Sequence, residues 1–164
     1  MIDSPAHTPP PGERTLTVLG NLALMRGFMG VKQTTYSLII TDRRLLFAEL
    51  TKDKMGEIVG QARDRAKAEG KGRMGQWGAQ LRAPSNYHER YRLISPGMAL
   101  AETPGNFAID RTAIQKVKFK EGTNDDTYAT LDEVLIKTTT GKYKLHVRGS
   151  LSTVRDAFRA AGIA

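Results

Sequence analysis

The sequence predicts a mainly β protein with helices added in two places, and three observations carry that reading. Two stretches, 36–50 and 134–147, alternate apolar and polar residues on either side of a short polar turn, the pattern of β-hairpins. The closing residues instead repeat apolar side chains at spacings of three and four. Between them, residues 52–82 follow helical spacing but carry six glycines, each unfavourable by about 1 kcal/mol against alanine in a helix interior.

Taken in order, residues 1–12 hold Pro5, the Pro9-Pro10-Pro11 run and Gly12, and read as a flexible Pro-rich lead-in. From Thr15, Leu16, Val18, Leu22 and Leu24 describe a first strand with a bend at Gly20. A tight turn at Asp42-Arg43 then sets Ile40 opposite Leu45, Leu38 opposite Phe47 and Tyr36 opposite Glu49. The other face of that hairpin carries Ile39 and Leu46, so cover is expected on both sides. Two short strands follow, Phe107–Ile109 and Ile114–Lys120, after a helical turn opened by Ser95-Pro96. A turn at Thr140-Gly141 pairs Val134 with Val147, Ile136 with Leu145 and Thr138 with Tyr143. The same register opposes Lys137 and Lys144 on a basic outer face. The final helix runs along Leu151, Val154, Phe158 and Ala161, with Thr153 and Asp156 as capping box and Gly162 as stop.

The unusual element is the insert. Met55, Ile58, Val59, Ala62 and Ala66 form one helical stripe, and Met74, Trp77 and Leu81 a second after Gly70-Lys71-Gly72. Gly56 and Gly60 share a face and would allow close approach of a neighbouring backbone. Pro84 ends the element.

Composition narrows the function classes. The 164 residues, 40% hydrophobic and 26% charged, suit one globular domain over 13–164 that includes a helical insert at about 52–104. With no cysteine, disulfide scaffolds, thiolate zinc sites, iron–sulfur clusters and cysteine nucleophiles are excluded. The apolar runs Leu38–Ile40 and Leu45–Ala48 fall far short of the roughly 18 residues of a membrane span, and no apolar signal core follows Met1, so a cytoplasmic location is expected. The net charge of +8 favours acidic partners. Between Thr51 and Met98, ten Lys and Arg stand against five acids, which places much of that charge on the insert.

No catalytic constellation emerges. His7, His88 and His146 show neither metal-ligand spacing nor an obvious carboxylate partner. Asn124-Asp125-Asp126 with Asp132-Glu133 lacks the spacing of a cation loop and reads as a solvated turn. The insert glycines lack the preceding strand and the Lys-Ser/Thr ending of a phosphate cradle. The expectation is a non-enzymatic protein with no metal and no cofactor.

Strand one, the Thr41-Asp42-Arg43-Arg44-Leu45-Leu46-Phe47 hairpin core, Phe107–Ile114 leading into Val117, the late hairpin and the closing helix together resemble the pleckstrin-homology-like family. More narrowly, they resemble its bacterial and archaeal PH-like and GRAM-like domains. The resemblance covers 13–50 and 107–162. It implies a PH-like barrel of two near-orthogonal antiparallel sheets capped by the C-terminal helix, with the helical insert between strands three and four as a departure from the plain pattern. Such barrels serve lipid-headgroup, peptide and architectural roles, so the site must be argued from the residues.

Those residues point to the insert. Arg63, Lys67, Lys71 and Arg73 would attract an anionic membrane surface or a protein partner, and Ile58, Met74 and Trp77 would anchor it. The protein would then sit at the inner face of the membrane as a peripheral component. The alternative is a homo-oligomeric scaffold whose insert helices pack between subunits, or an insert whose apolar side packs on its own barrel. Nucleic acid is the less favoured acidic partner, since aromatics able to stack bases are not interleaved with Lys and Arg on one sheet.

Overall fold

The computed structural model describes residues 12–70, 72–76, 83–127 and 129–164, which leaves nearly all of the expected lead-in outside. Its strands are β1 (Thr15–Arg26), β2 (Lys32–Thr41), β3 (Arg44–Glu49), β4 (Phe107–Asp110), β5 (Ile114–Lys120), β6 (Asp132–Thr138) and β7 (Lys142–Val147). Among the described residues they are joined by the helices α1 (Lys52–Ala68), α2 (Pro96–Ala101) and α3 (Leu151–Ala160), a helical turn at 73–76, and 3-10 segments of which Ala83–Arg92 is the longest. The strands pair antiparallel in the order β4-β3-β2-β1-β7-β6-β5.

β1 joins the two halves. Its Leu22–Leu24 segment pairs with both β2 and β7, whereas Val18 and Leu19 pair with β2. The register shifts between Leu19 and Leu22, where Asn21 takes a φ of 59°, so the bend expected at Gly20 sits there. Its cause is close approach: a Cβ on Gly20 would run into the His88 ring. His88 belongs to the 3-10 stretch and packs over the bend.

Threonines close both hairpin turns, with different consequences for register. In the β2–β3 hairpin, the Thr41 hydroxyl accepts from the Arg43 and Arg44 backbone N–H groups at 3.1 and 2.9 Å and donates to Glu13 at 2.8 Å. The expected pairs, Ile40 with Leu45, Leu38 with Phe47 and Tyr36 with Glu49, all form. In the β6–β7 hairpin, the Thr138 hydroxyl takes the same role toward Thr140 and Gly141, which makes Thr139-Thr140 the turn. The register therefore moves by two residues from the expected one: Val134 opposes Leu145, Ile136 opposes Tyr143 and Lys137 opposes Lys142. A shift of two preserves the faces.

The inner face carries the main core. Leu22, Leu38, Ile40, Leu45, Phe47, Val134, Ile136 and Leu145 are fully buried, and α3 closes over them with Leu151, Val154 and Phe158. Phe107 on edge strand β4 stacks on Phe47 at 4.5 Å and on Tyr143 of β7 at 5.7 Å, so the sheet curls far enough for its halves to touch. The α3 cap is Ser150, whose hydroxyl accepts from the Thr153 N–H, and not the Thr153–Asp156 box; Gly162 ends the helix at φ 74° as expected. On β5, a register shift between Ile114 and Lys116 explains why Ile114, Val117 and Phe119 fail to alternate strictly.

The insert covers the outer face of β1–β3. Tyr91 and Ala99 join Val18, Ile39, Leu46 and Ala48 in a second buried cluster, with Tyr87, Ile94 and Leu100 packed at its margin. α1 rides on the 3-10 stretch rather than on the sheet.

Candidate anion-binding surfaces

The insert is latched by one carboxylate. Glu102 Oε2 accepts from the Tyr91 hydroxyl at 2.8 Å and lies 3.4 Å from Lys54 Nζ, while Oε1 lies 2.6 Å from Arg90. Lys54 also donates to the Glu49 carbonyl at 3.2 Å, which ties the first turn of α1 to the end of β3. Burial works against the Glu102 charge, but the Tyr91 hydrogen bond and the two cations outweigh it and hold this carboxyl below the usual carboxylate range. Burial, with Glu102 beside it, pushes the Tyr91 phenol well above its ordinary value, so this tyrosine stays a neutral donor.

On α1, Met55, Ile58, Val59 and Ala62 are half-buried and Ala66 is buried, a stripe that sits on the inward side of the helix. Ile58 thus belongs with the packing residues and stands apart from the exposed Arg63 and Lys67. Arg73 is exposed beyond the end of α1, and Met74 is 84% exposed. Lys71 and Trp77 lie outside the described residues. Gly56 and Gly60 have nothing within 4 Å of where a Cβ would sit, so no described neighbour makes the close approach expected there. Gly70, Gly72 and Gly75 spell G-x-G-x-x-G, but a helix precedes them where a dinucleotide-binding loop needs a strand.

A second charged surface occupies the outer face of β5, β6 and β7. Direct pairing sets Lys116, Lys137 and Lys142 in one row, Lys118, Leu135 and Lys144 in the next, and Lys120, Glu133 and His146 in the third. All six lysines are exposed. Lys144 lies 3.0 Å from Glu133, and His146 Nε2 lies 3.3 Å from the same oxygen, a carboxylate partner the sequence reading missed. Burial alone would raise the Glu133 pKa, yet Lys144 and His146 bring it below its ordinary value. The other five lysines have no ion-pair partner among the described residues.

Of this surface, the sequence reading named Lys137 and Lys144 and placed them opposite one another. The two-residue shift sets Lys137 between Lys116 and Lys142 and moves Lys144 beside Leu135. The signal for the rest was present as alternation, Lys116-x-Lys118-x-Lys120 and Lys142-x-Lys144, but strand pairing is needed to align the rows.

Chemistry elsewhere is sparse. A shallow cleft of about 400 Å³ beside β4, lined by Leu100, Thr103, Pro104, Asn106 and Phe107 among others, offers no ionisable side chain. Among the described residues, no group of three or more His, Cys, Asp or Glu is placed to hold a metal ion, and no helix is long and apolar enough to cross a membrane. Asp125 accepts from the Thr127 N–H and lies between β5 and β6, as a solvated turn would, whereas Asp132 and Glu133, expected in the same turn, open strand β6, where Asp132 accepts from the Gly122 N–H.

No protein-family model matches the chain, and no curated protein matches it. Among solved structures, it is similar to the C-terminal domain of an unknown protein from Leishmania infantum, at 12% identity and a TM-score of 0.49, over 93% of this chain and 87% of that one. It is also similar to the Vps36 N-terminal PH domain, at 9% identity and a TM-score of 0.47, over 92% and 80% of the respective chains.

Proposed function

We propose that the chain is a non-enzymatic binding module of the PH-like type that contacts an anionic membrane surface through its insert. The single observation behind this reading is the exposed run of Arg63, Lys67 and Arg73 ending at Met74, on an element whose apolar stripe is already engaged. Long-range attraction by the cations and shallow burial of Met74 are two weak signals that together suffice for reversible adsorption. Seven antiparallel strands followed by a helix agree with the family resemblance, and a cytoplasmic, peripheral location would follow.

Co-sedimentation with phosphatidylcholine vesicles, with and without phosphatidylserine, tests this at low and high salt. Replacing Arg63, Lys67 and Arg73 by glutamine removes about 1 kcal/mol each near an anionic leaflet, so binding at low salt should fall by about two orders of magnitude. A wild-type protein that ignores phosphatidylserine vesicles at low salt sinks the reading.

A second reading, a scaffold that self-assembles through the insert, is favoured by the open space over Gly56 and Gly60, where a helix from another copy could lie. It requires a mass in solution above the monomer and its loss in Gly60→Leu.

A further inference from the structure

We infer that the outer face of β5–β6–β7 is a docking surface for the sugar-phosphate backbone of double-helical nucleic acid, bound without regard to sequence. The inference is independent of the insert and rests on a different observation, the six lysines Lys116, Lys118, Lys120, Lys137, Lys142 and Lys144 among the nine positions of a three-by-three array.

The array is unfavourable for the free protein. Like charges directly opposed across strands destabilise a sheet. Here Lys116, Lys137 and Lys142 oppose one another across three consecutive strands, with Glu133 as the single compensating acid on the face. A ligand that relieves this repulsion must match its density. From ordinary strand spacing, the six lysines spread over about 10 Å across the strands and about 13 Å along them. A duplex carries one phosphate charge per about 1.7 Å of axis, several of which fall within that footprint. An anionic leaflet at about −30 mV presents far fewer charges over the same area.

The composition of the face selects the mode of contact. The one ring among its nine positions is His146, half-buried and held against Glu133; no Phe, Tyr or Trp is there to stack an unpaired base, and none holds Arg, Asn or Gln for bidentate readout of a base edge. Lysine supplies point charges for phosphate instead. The absence of interleaved aromatics, which disfavoured nucleic acid from the sequence, therefore argues against base recognition and leaves backbone contact untouched.

Fluorescence anisotropy of a short labelled DNA duplex with the full chain, across a salt series, tests the inference. The logarithm of affinity should fall linearly with the logarithm of salt, with a slope of about −4 to −5 if five or so phosphates are neutralised. Substituting Lys116, Lys118 and Lys120 by glutamine should make that slope shallower by about 3 and weaken low-salt binding at least tenfold. A second variant, Lys137→Gln with Lys142→Gln, should reduce the slope by about 2. Scrambling the duplex sequence should change nothing. Circular dichroism confirms that the variants remain folded, as exposed positions allow.

Three results would overturn the inference: no duplex binding at low salt, binding that both lysine variants leave unchanged, or loss in those variants of phosphatidylserine-vesicle binding with duplex binding intact. Failure of the insert variant on vesicles bears on the other proposal alone.

Discussion

The two halves of the sheet's outer face make opposite use of the same strand geometry. On β1–β3 that face holds Val18, Ile39, Leu46 and Ala48, all at most 3% exposed under Tyr91 and Ala99. On β5–β7 the corresponding face holds six exposed lysines, with no covering element among the described residues. The inner faces of both halves are equally apolar. The difference teaches that the insert is part of the fold on one half, while the other half presents charge that the core does not require.

The sharpest way to break this comparison is to exchange the two chemistries. Leu46→Lys buries an ammonium beneath the insert with no partner, and should destabilise by more than about 4 kcal/mol or prevent folding. Lys118→Leu, on the uncovered half, should change stability by no more than about 0.5 kcal/mol. Urea unfolding of both variants decides; similar effects would mean that the halves are not distinct.

The latch comes next. Glu102→Ala leaves the Tyr91 hydroxyl, Lys54 and Arg90 without their common acceptor and should cost about 2–3 kcal/mol. Hydrogen exchange should show the loss of protection concentrated in α1, with β5–β7 unaffected.

Gly20→Ala should cost about 1–3 kcal/mol by driving a methyl group into the His88 ring. The same substitution in a His88→Ala background should be much milder, a coupling that a double-mutant cycle measures. Equal effects in both backgrounds would place the strain elsewhere.

The smallest effect is on pH. Glu102 has a folded pKa below its unfolded one, so its contribution is complete above the unfolded value and is lost as pH falls through the depressed folded value. Acid should therefore weaken the latch below the usual carboxylate range, and Glu102→Gln should flatten that part of the stability profile. Glu133 is depressed in the same direction but stands on an open face, and its substitution by Gln should move stability less.

How far the sequence was legible depended on how many local choices each segment offered. At Thr41-Asp42-Arg43 one threonine precedes one polar pair, and the register followed. At Thr138-Thr139-Thr140-Gly141 three threonines could close the turn, and glycine drew the reading two residues too far; Gly141 is absent from the positive-φ residues, so the turn does not depend on it. Ser150 competed with Thr153 for the α3 cap in the same way. The candidate site was less legible still. Exposed cations on α1 and Lys137 and Lys144 were visible, but the half-burial of Ile58 was not, and Lys116, Lys118, Lys120 and Lys142 joined Lys137 and Lys144 in one surface once β5 and β7 were placed beside β6.

By itself the sequence determined the period of each strand and helix, the inner core and the excess of positive charge, because these follow from side-chain type at fixed spacing along the chain. The tertiary structure alone decided which half of the outer face the insert covers and which lysines share a row. Both depend on pairings between residues far apart in the chain: His88 over Gly20, Glu102 with Lys54, and β5 against β6. No local pattern encodes such contacts, since their free energy exists only once the chain has closed the loops between them.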